Sequence, residues 1–124
     1  MNFDTIISGG TVIDGTGSPG IKADVGISGK EIAAVGNLSE STADQVIDAE
    51  GLTVTPGFID VHSHADGALL LDGQHASGIR QGVTTEIVCP DGLSYAPLSH
   101  DDYLMYRKYL SGILGFPPED LDMS

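Results

Sequence analysis

Nothing limits the fold of this chain more than the break at Pro56-Gly57, where one rhythm of apolar residues gives way to another. Before it, Phe3 to Ser8, Thr11 to Asp14, Ala23 to Ser28 and Glu31 to Val35 are short runs rich in β-branched residues, the composition of strands. Gly9-Gly10, a Gly-rich loop at 15–20 and Gly29-Lys30 separate them, and Gly29-Lys30 has the form of a two-residue hairpin turn. After a polar stretch at 37–45, Val46 to Asp48 and Leu52 to Thr55 complete an antiparallel, all-β segment over residues 1–55 with no helix signal.

Beyond Pro56 the pattern becomes strand, helix, strand, helix, which is the signature of an α/β fold with parallel strands. Phe58 to Val61 reads as a short apolar strand and Gln74 to Gln81 as a weak helix. Val83 to Val88 is a β-branched run suited to a strand buried on both faces. From Ser99 a helix is expected, with Ser99 as N-cap, acids in its first turn, and Tyr103, Tyr106, Leu110 and Ile113 at helical spacing as core packing. The closing EDLDMS resembles the cap of a further helix.

Charge and cysteine count narrow the function classes. Eighteen Asp and Glu against five Lys and Arg give a formal charge of −13, a field that repels phosphate backbones and anionic lipid, so neither nucleic acid nor membrane is an expected partner. Cys89 is the single cysteine, which excludes an internal disulfide and fits a reducing compartment. The start MNFDTIISGG has no signal-peptide pattern, and no apolar run approaches the roughly 18 residues of a membrane span. The expectation is a soluble cytoplasmic protein.

The stretch that carries chemistry is PGFIDVHSHAD, residues 56–66. Alternation along a strand projects Asp60, His62 and His64 to one side, so two imidazoles converge at a strand end. Neutral imidazole is a good donor to zinc, and carboxyl ends of parallel strands are where α/β enzymes carry their sites. Asp60 either orients an imidazole or bonds to backbone, and Asp66 falls in the following loop. GTGSPG at 15–20 spells a dinucleotide-loop motif, but a strand rather than a helix follows it, so it reads as a plain loop. His75 and His100 have no donors at ligand spacing, and Glu86 reads as a structural acid.

Residues 56–66 resemble the opening barrel strand of the amidohydrolase superfamily, metal-dependent hydrolases built on a (β/α)8 barrel. GVTTEIVCPDGLSYAPL, residues 82–98, resembles the second strand and loop of its D-aminoacylase (N-acyl-D-amino-acid deacylase) branch. That resemblance implies an incomplete α/β architecture: a small β-sandwich segment at 1–55, then the first two β/α units of a barrel at 56–124. A complete barrel takes about 250 residues. In that family the loop usually reads Gly-Asn-Cys-Gly, with its Cys a metal ligand; the gap-free match here puts Asp91 at that position and Cys89 two residues earlier. Asp91 is favoured by register and by Gly92, while Cys89, biased toward an extended conformation by Pro90, remains open.

The resemblance further implies one or two divalent ions, zinc in the first instance, held by His62, His64 and Asp91 or Cys89. Such ions polarise an amide carbonyl and lower the pKa of a bound water. The implied substrate is a small N-acyl-D-amino acid, and the expected catalytic acid lies beyond this chain, which is then inactive alone and prone to self-association through open strand edges. Two other readings compete: the front of a cyclic-amide hydrolase of the hydantoinase or dihydroorotase kind, and a non-enzymatic metal-binding β-rich module.

Overall fold

A computed structural model describes residues 1–121, so the last three residues of the expected C-terminal cap lie outside the described residues. The chain divides into two compact units, Met1–Pro56 and Gly57–Ser124. None of the described helices is long and apolar enough to cross a membrane.

The first unit is one five-stranded sheet of β1 (Asn2–Val12), β2 (Ile21–Ser28), β3 (Glu31–Gly36), β4 (Thr42–Asp48) and β5 (Thr53–Val54). Its order is β3-β2-β1-β4, with β5 also on β1. The β2–β3 hairpin turns at Gly29-Lys30, where Gly29 takes a φ of 61° that a side chain disfavours. Gly9-Gly10 does not separate two strands as expected. It forms a bulge inside β1, whose pairing with β2 shifts between Ile7 and Gly10. The sheet is also mixed rather than antiparallel, because β4 and β5 both run parallel to β1. Alternation of apolar residues reports that a segment is a strand and is silent on its direction.

One carboxylate ties this unit together. Asp24 Oδ1 accepts from the Gly9 amide at 2.8 Å and the Ser8 hydroxyl at 3.1 Å, and Oδ2 accepts from the Leu38 amide at 2.9 Å. The bulge and the β3–β4 connection are thereby fixed to β2. Phe3, Ile6, Val25 and Ala49 are the buried apolar residues of this unit.

The second unit is α/β. In chain order it has β6 (Phe58–Asp60), α1 (Asp66–Leu71), α2 (Ala76–Ile79), β7 (Val83–Glu86), a 3₁₀ turn (Pro90–Gly92), α3 (His100–Tyr109) and α4 (Ser111–Leu114). β6 and β7 pair in parallel, with Phe58 opposite Val83 and Asp60 opposite Glu86. The pair begins at a glycine for a steric reason: a Cβ on Gly57 would lie 2.1 Å from the Thr84 hydroxyl. This is the pattern that the resemblance implies for the first two units of a (β/α)8 barrel, and among the described residues its sheet holds two strands. β7 is not buried on both faces as its composition suggested: Thr84 and Thr85 are exposed, and so is much of β6.

The helices depart from expectation in two places. α1 begins at Asp66, which is buried at its first turn rather than in a loop. α3 forms as expected, with the Asp102 amide donating to the Ser99 hydroxyl, but it ends at Tyr109 and α4 restarts at Ser111. That interruption shifts the helical phase, so Leu114 rather than Ile113 joins Tyr95, Tyr103 and Leu110 in the core.

Candidate metal centre

The site is built where β6 and β7 end. Ile87 N donates to Asp60 O at 2.8 Å and Ser63 N to Ile87 O at 3.4 Å, carrying the parallel register past the last strand residues. His62 and His64 follow β6, and Asp91 sits in the 3₁₀ turn after β7. One donor atom from each of these three residues lies within 4.8 Å of the others. Asp91 Oδ2 is 3.5 Å from His62 Nε2 and 3.8 Å from His64 Nε2. The two imidazoles meet edge to face, with ring centroids 5.4 Å apart.

This spacing suits a divalent cation. With zinc–nitrogen and zinc–oxygen distances of about 2.0–2.2 Å, ligands of a tetrahedral ion stand about 3.3–3.6 Å apart, close to the two distances measured to Asp91. His64 Nδ1 is buried without a hydrogen-bond partner, so none of the described groups fixes the tautomer of this imidazole. His62 and Asp91 are exposed and His64 is partly buried, an arrangement open to an incoming ion.

The turn that delivers Asp91 has a specific backbone. Cys89, Asp91 and Gly92 all have positive φ, at 66°, 59° and 71°, and Leu93 N closes the turn on Pro90 O. Cys89 is therefore left-handed rather than extended, which corrects the expectation drawn from Pro90. Its neighbours in the turn outweigh the local bias, because reversing the chain within a few residues needs left-handed positions. Cys89 falls outside the three-residue group. Its Sγ lies 3.0 Å from Ser94 Oγ and 3.5 Å from Asp66 Oδ1, while Asp66 Oδ2 is buried and unpartnered.

Asp60 takes the backbone option, accepting from His62 N at 3.1 Å. His100 lies at the start of α3, its ring tilted over Tyr103. Sequence reading missed a second cluster beside the site: Glu86 accepts from Ser63 Oγ at 3.0 Å and from His75 Nε2 at 2.5 Å. A signal for it was present. An acid inside the β-branched run VTTEIV needs a buried partner.

Residues 45–115 match the model of the amidohydrolase family, over more than half of the chain. The chain belongs to this family, and within it to the D-aminoacylase branch. It is 48% identical over 98 residues to a D-aminoacylase of Alcaligenes xylosoxydans xylosoxydans, covering 79% of this chain and 20% of that one. The N-acyl-D-aspartate deacylase of the same organism is 44% identical over 96 residues, covering 77% and 19%. A solved D-aminoacylase with a binuclear metal centre superposes with a TM-score of 0.75 at 55% identity, covering 79% of this chain and 21% of that one. The N-acyl-D-glutamate deacylase of Bordetella bronchiseptica, solved with zinc and a phosphonate inhibitor, gives 0.74 at 34% identity over 91% and 27%. The chain thus spans about a fifth of the length of the curated relatives it matches.

Proposed function

We propose that this chain carries the first metal ligands of a hydrolase that cleaves the linear amide of N-acyl-D-amino acids. The observation that carries the reading is the convergence of His62, His64 and Asp91 at the ends of two adjacent parallel strands. Similarity to the D-aminoacylase and the N-acyl-D-aspartate deacylase supports the substrate class. A divalent ion held there supplies Lewis-acid polarisation of the amide carbonyl and a water acidified toward neutral pH. The chain's own part is to present two imidazoles and one carboxylate from the turns that follow two paired strands, which would hold the ion at one place.

No other His, Cys, Asp or Glu among the described residues joins that group. Three ligands without a proton-shuttling acid bind metal but do not complete an acid–base cycle. The 124-residue chain is accordingly proposed to bind zinc without turning over substrate.

A segment exchange tests this. Residues 45–115 placed into a D-aminoacylase in place of the matching segment are expected to retain bound zinc and hydrolysis of N-acetyl-D-amino acids, and His64→Ala in that hybrid is expected to abolish both. A folded hybrid that loses its metal, or that cleaves cyclic ureides and ignores N-acetyl-D-amino acids, overturns the reading. Hydrolysis by the 124-residue chain alone overturns the proposed inactivity.

A further inference from the structure

The cluster beside the metal centre points to a second function for β7. Ser63 lies between His62 and His64 in sequence, and its side chain turns the other way, donating from Oγ to Glu86 Oε2 at 3.0 Å. The same Oγ accepts from Ala65 N at 3.1 Å, so this one hydroxyl also holds the turn that follows the second histidine. The other oxygen of Glu86 takes His75 Nε2, from the residue that opens α2. Side-chain exposure at this pair is 17% for His75 and 11% for Glu86. Carboxylates that deep persist only when their oxygens are bonded, and here both are.

Gly78 packs directly on the pair. A Cβ there would stand 2.5 Å from His75 Nε2 and 3.1 Å from Glu86 Oε1. Three separate pieces of chain, the turn after β6, the start of α2 and the end of β7, therefore meet at one carboxylate. Backbone bonds anchor the His62–Ala65 segment at its far end, where Leu69 N donates to Ala65 O at 2.8 Å, but the stretch that carries the two histidines has only the Ser63 N to Ile87 O link at 3.4 Å.

We infer that Glu86 is a positioning residue for the metal ligands: through Ser63 it clamps the backbone that aims His62 and His64, and His75 holds Glu86 in place. The inference rests on the metal-site reading for its consequence but not for the clamp itself. Partners one step removed from a metal commonly govern its affinity by about 10- to 100-fold.

Two measurements on the 124-residue chain separate clamp from consequence. Amide hydrogen exchange of residues 62–65 without metal is expected to quicken in Glu86→Ala and in Ser63→Ala, while the bonded amides of Tyr103 and Leu110 in the same unit keep wild-type protection. Glu86→Gln, whose carbonyl still offers Ser63 an acceptor and whose amide meets His75 Nε2 in the tautomer that accepts there, is expected to restore slow exchange. Zinc affinity by chelator competition is expected to fall about 10- to 100-fold in the two alanine variants and to recover in Glu86→Gln. Unchanged exchange at 62–65 in both alanine variants overturns the clamp. Faster exchange with unchanged zinc affinity overturns its role in aiming the ligands. A wild-type chain with slow exchange but no zinc binding overturns the metal-site reading and leaves the clamp standing.

Discussion

His62 Nε2 and Asp91 Oδ2 approach to 3.5 Å although they follow different strands, because β6 and β7 pair in parallel and end side by side. Parallel pairing brings two carboxyl ends to one edge, where an antiparallel pair would send them to opposite edges. The turn at Cys89–Gly92 then decides which anionic side chain reaches the imidazoles. Asp91→Ala is expected to weaken zinc binding by an order of magnitude or more, and Cys89→Ser to leave it within a factor of about two. Equilibrium dialysis against zinc checks both, and a larger loss in Cys89→Ser would transfer the ligand role to the thiol.

The imidazole pair was legible from its spacing of two, although β6 ends at Asp60 and the two rings are brought together by the turn beyond it rather than by the strand period. The capped helix at Ser99 was legible for a similar reason, since hydroxyl, acids and tyrosines all signal the same element. What escaped was set by contacts between distant residues. Strand direction around β1, the bulge at Gly9 and the left-handed turn at Cys89 leave no local periodicity to read. Glu86, an acid inside a β-branched run, signals that it needs a partner, but only the parallel register of β6 and β7 shows that Ser63 and His75 are the partners.

Asp24 predicts an acid-sensitive first unit. The amide of Leu38, then that of Gly9, hold its carboxyl below the ordinary value of 3.8, with the Ser8 hydroxyl adding to the effect. A group with a lowered folded pKa stabilises above its unfolded value and loses that contribution as pH falls through the folded one. At neutral pH, Asp24→Ala is expected to cost about 1–3 kcal/mol, the range for leaving bonded polar groups unpaired. Urea unfolding of the wild type and variant should converge as pH drops below about 4. A gap that stays constant into acid would show that the carboxylate charge is irrelevant.

Tyr103 and Tyr95 give the second unit the opposite dependence. Burial pushes both phenols above 10.0, with each donating its hydroxyl to a backbone carbonyl, Tyr103 to Pro118 and Tyr95 to Gly115 at 2.9 Å. Groups with raised folded pKa stabilise below the unfolded value, so this contribution is expected to fade as pH climbs from about 10 toward the folded values. Near-ultraviolet circular dichroism of the tyrosines should collapse in that window. Tyr103→Phe, which cannot ionise and keeps its ring in the core, should move the collapse to higher pH while costing about 0.5–1.5 kcal/mol at neutrality.

The two-stranded sheet predicts how the chain behaves in concentrated solution. β6 and β7 are both edges, and Phe58, Ile59, Val61 and Ile87 each expose more than half of their surface. Unpaired strand edges beside apolar side chains recruit further strands, and the open edge is proposed to recruit a second copy of this chain. Sedimentation of the 124-residue chain is expected to give species heavier than 12.9 kDa that grow with concentration. Ile59→Lys together with Val61→Lys puts two like charges at exposed positions on β6 and just past its end, which repels a second copy without replacing His62, His64 or Asp91. That double variant should run as a monomer and still bind zinc. A wild-type chain that stays monomeric at every concentration would mean that the exposed edge is protected by its own twist or charge.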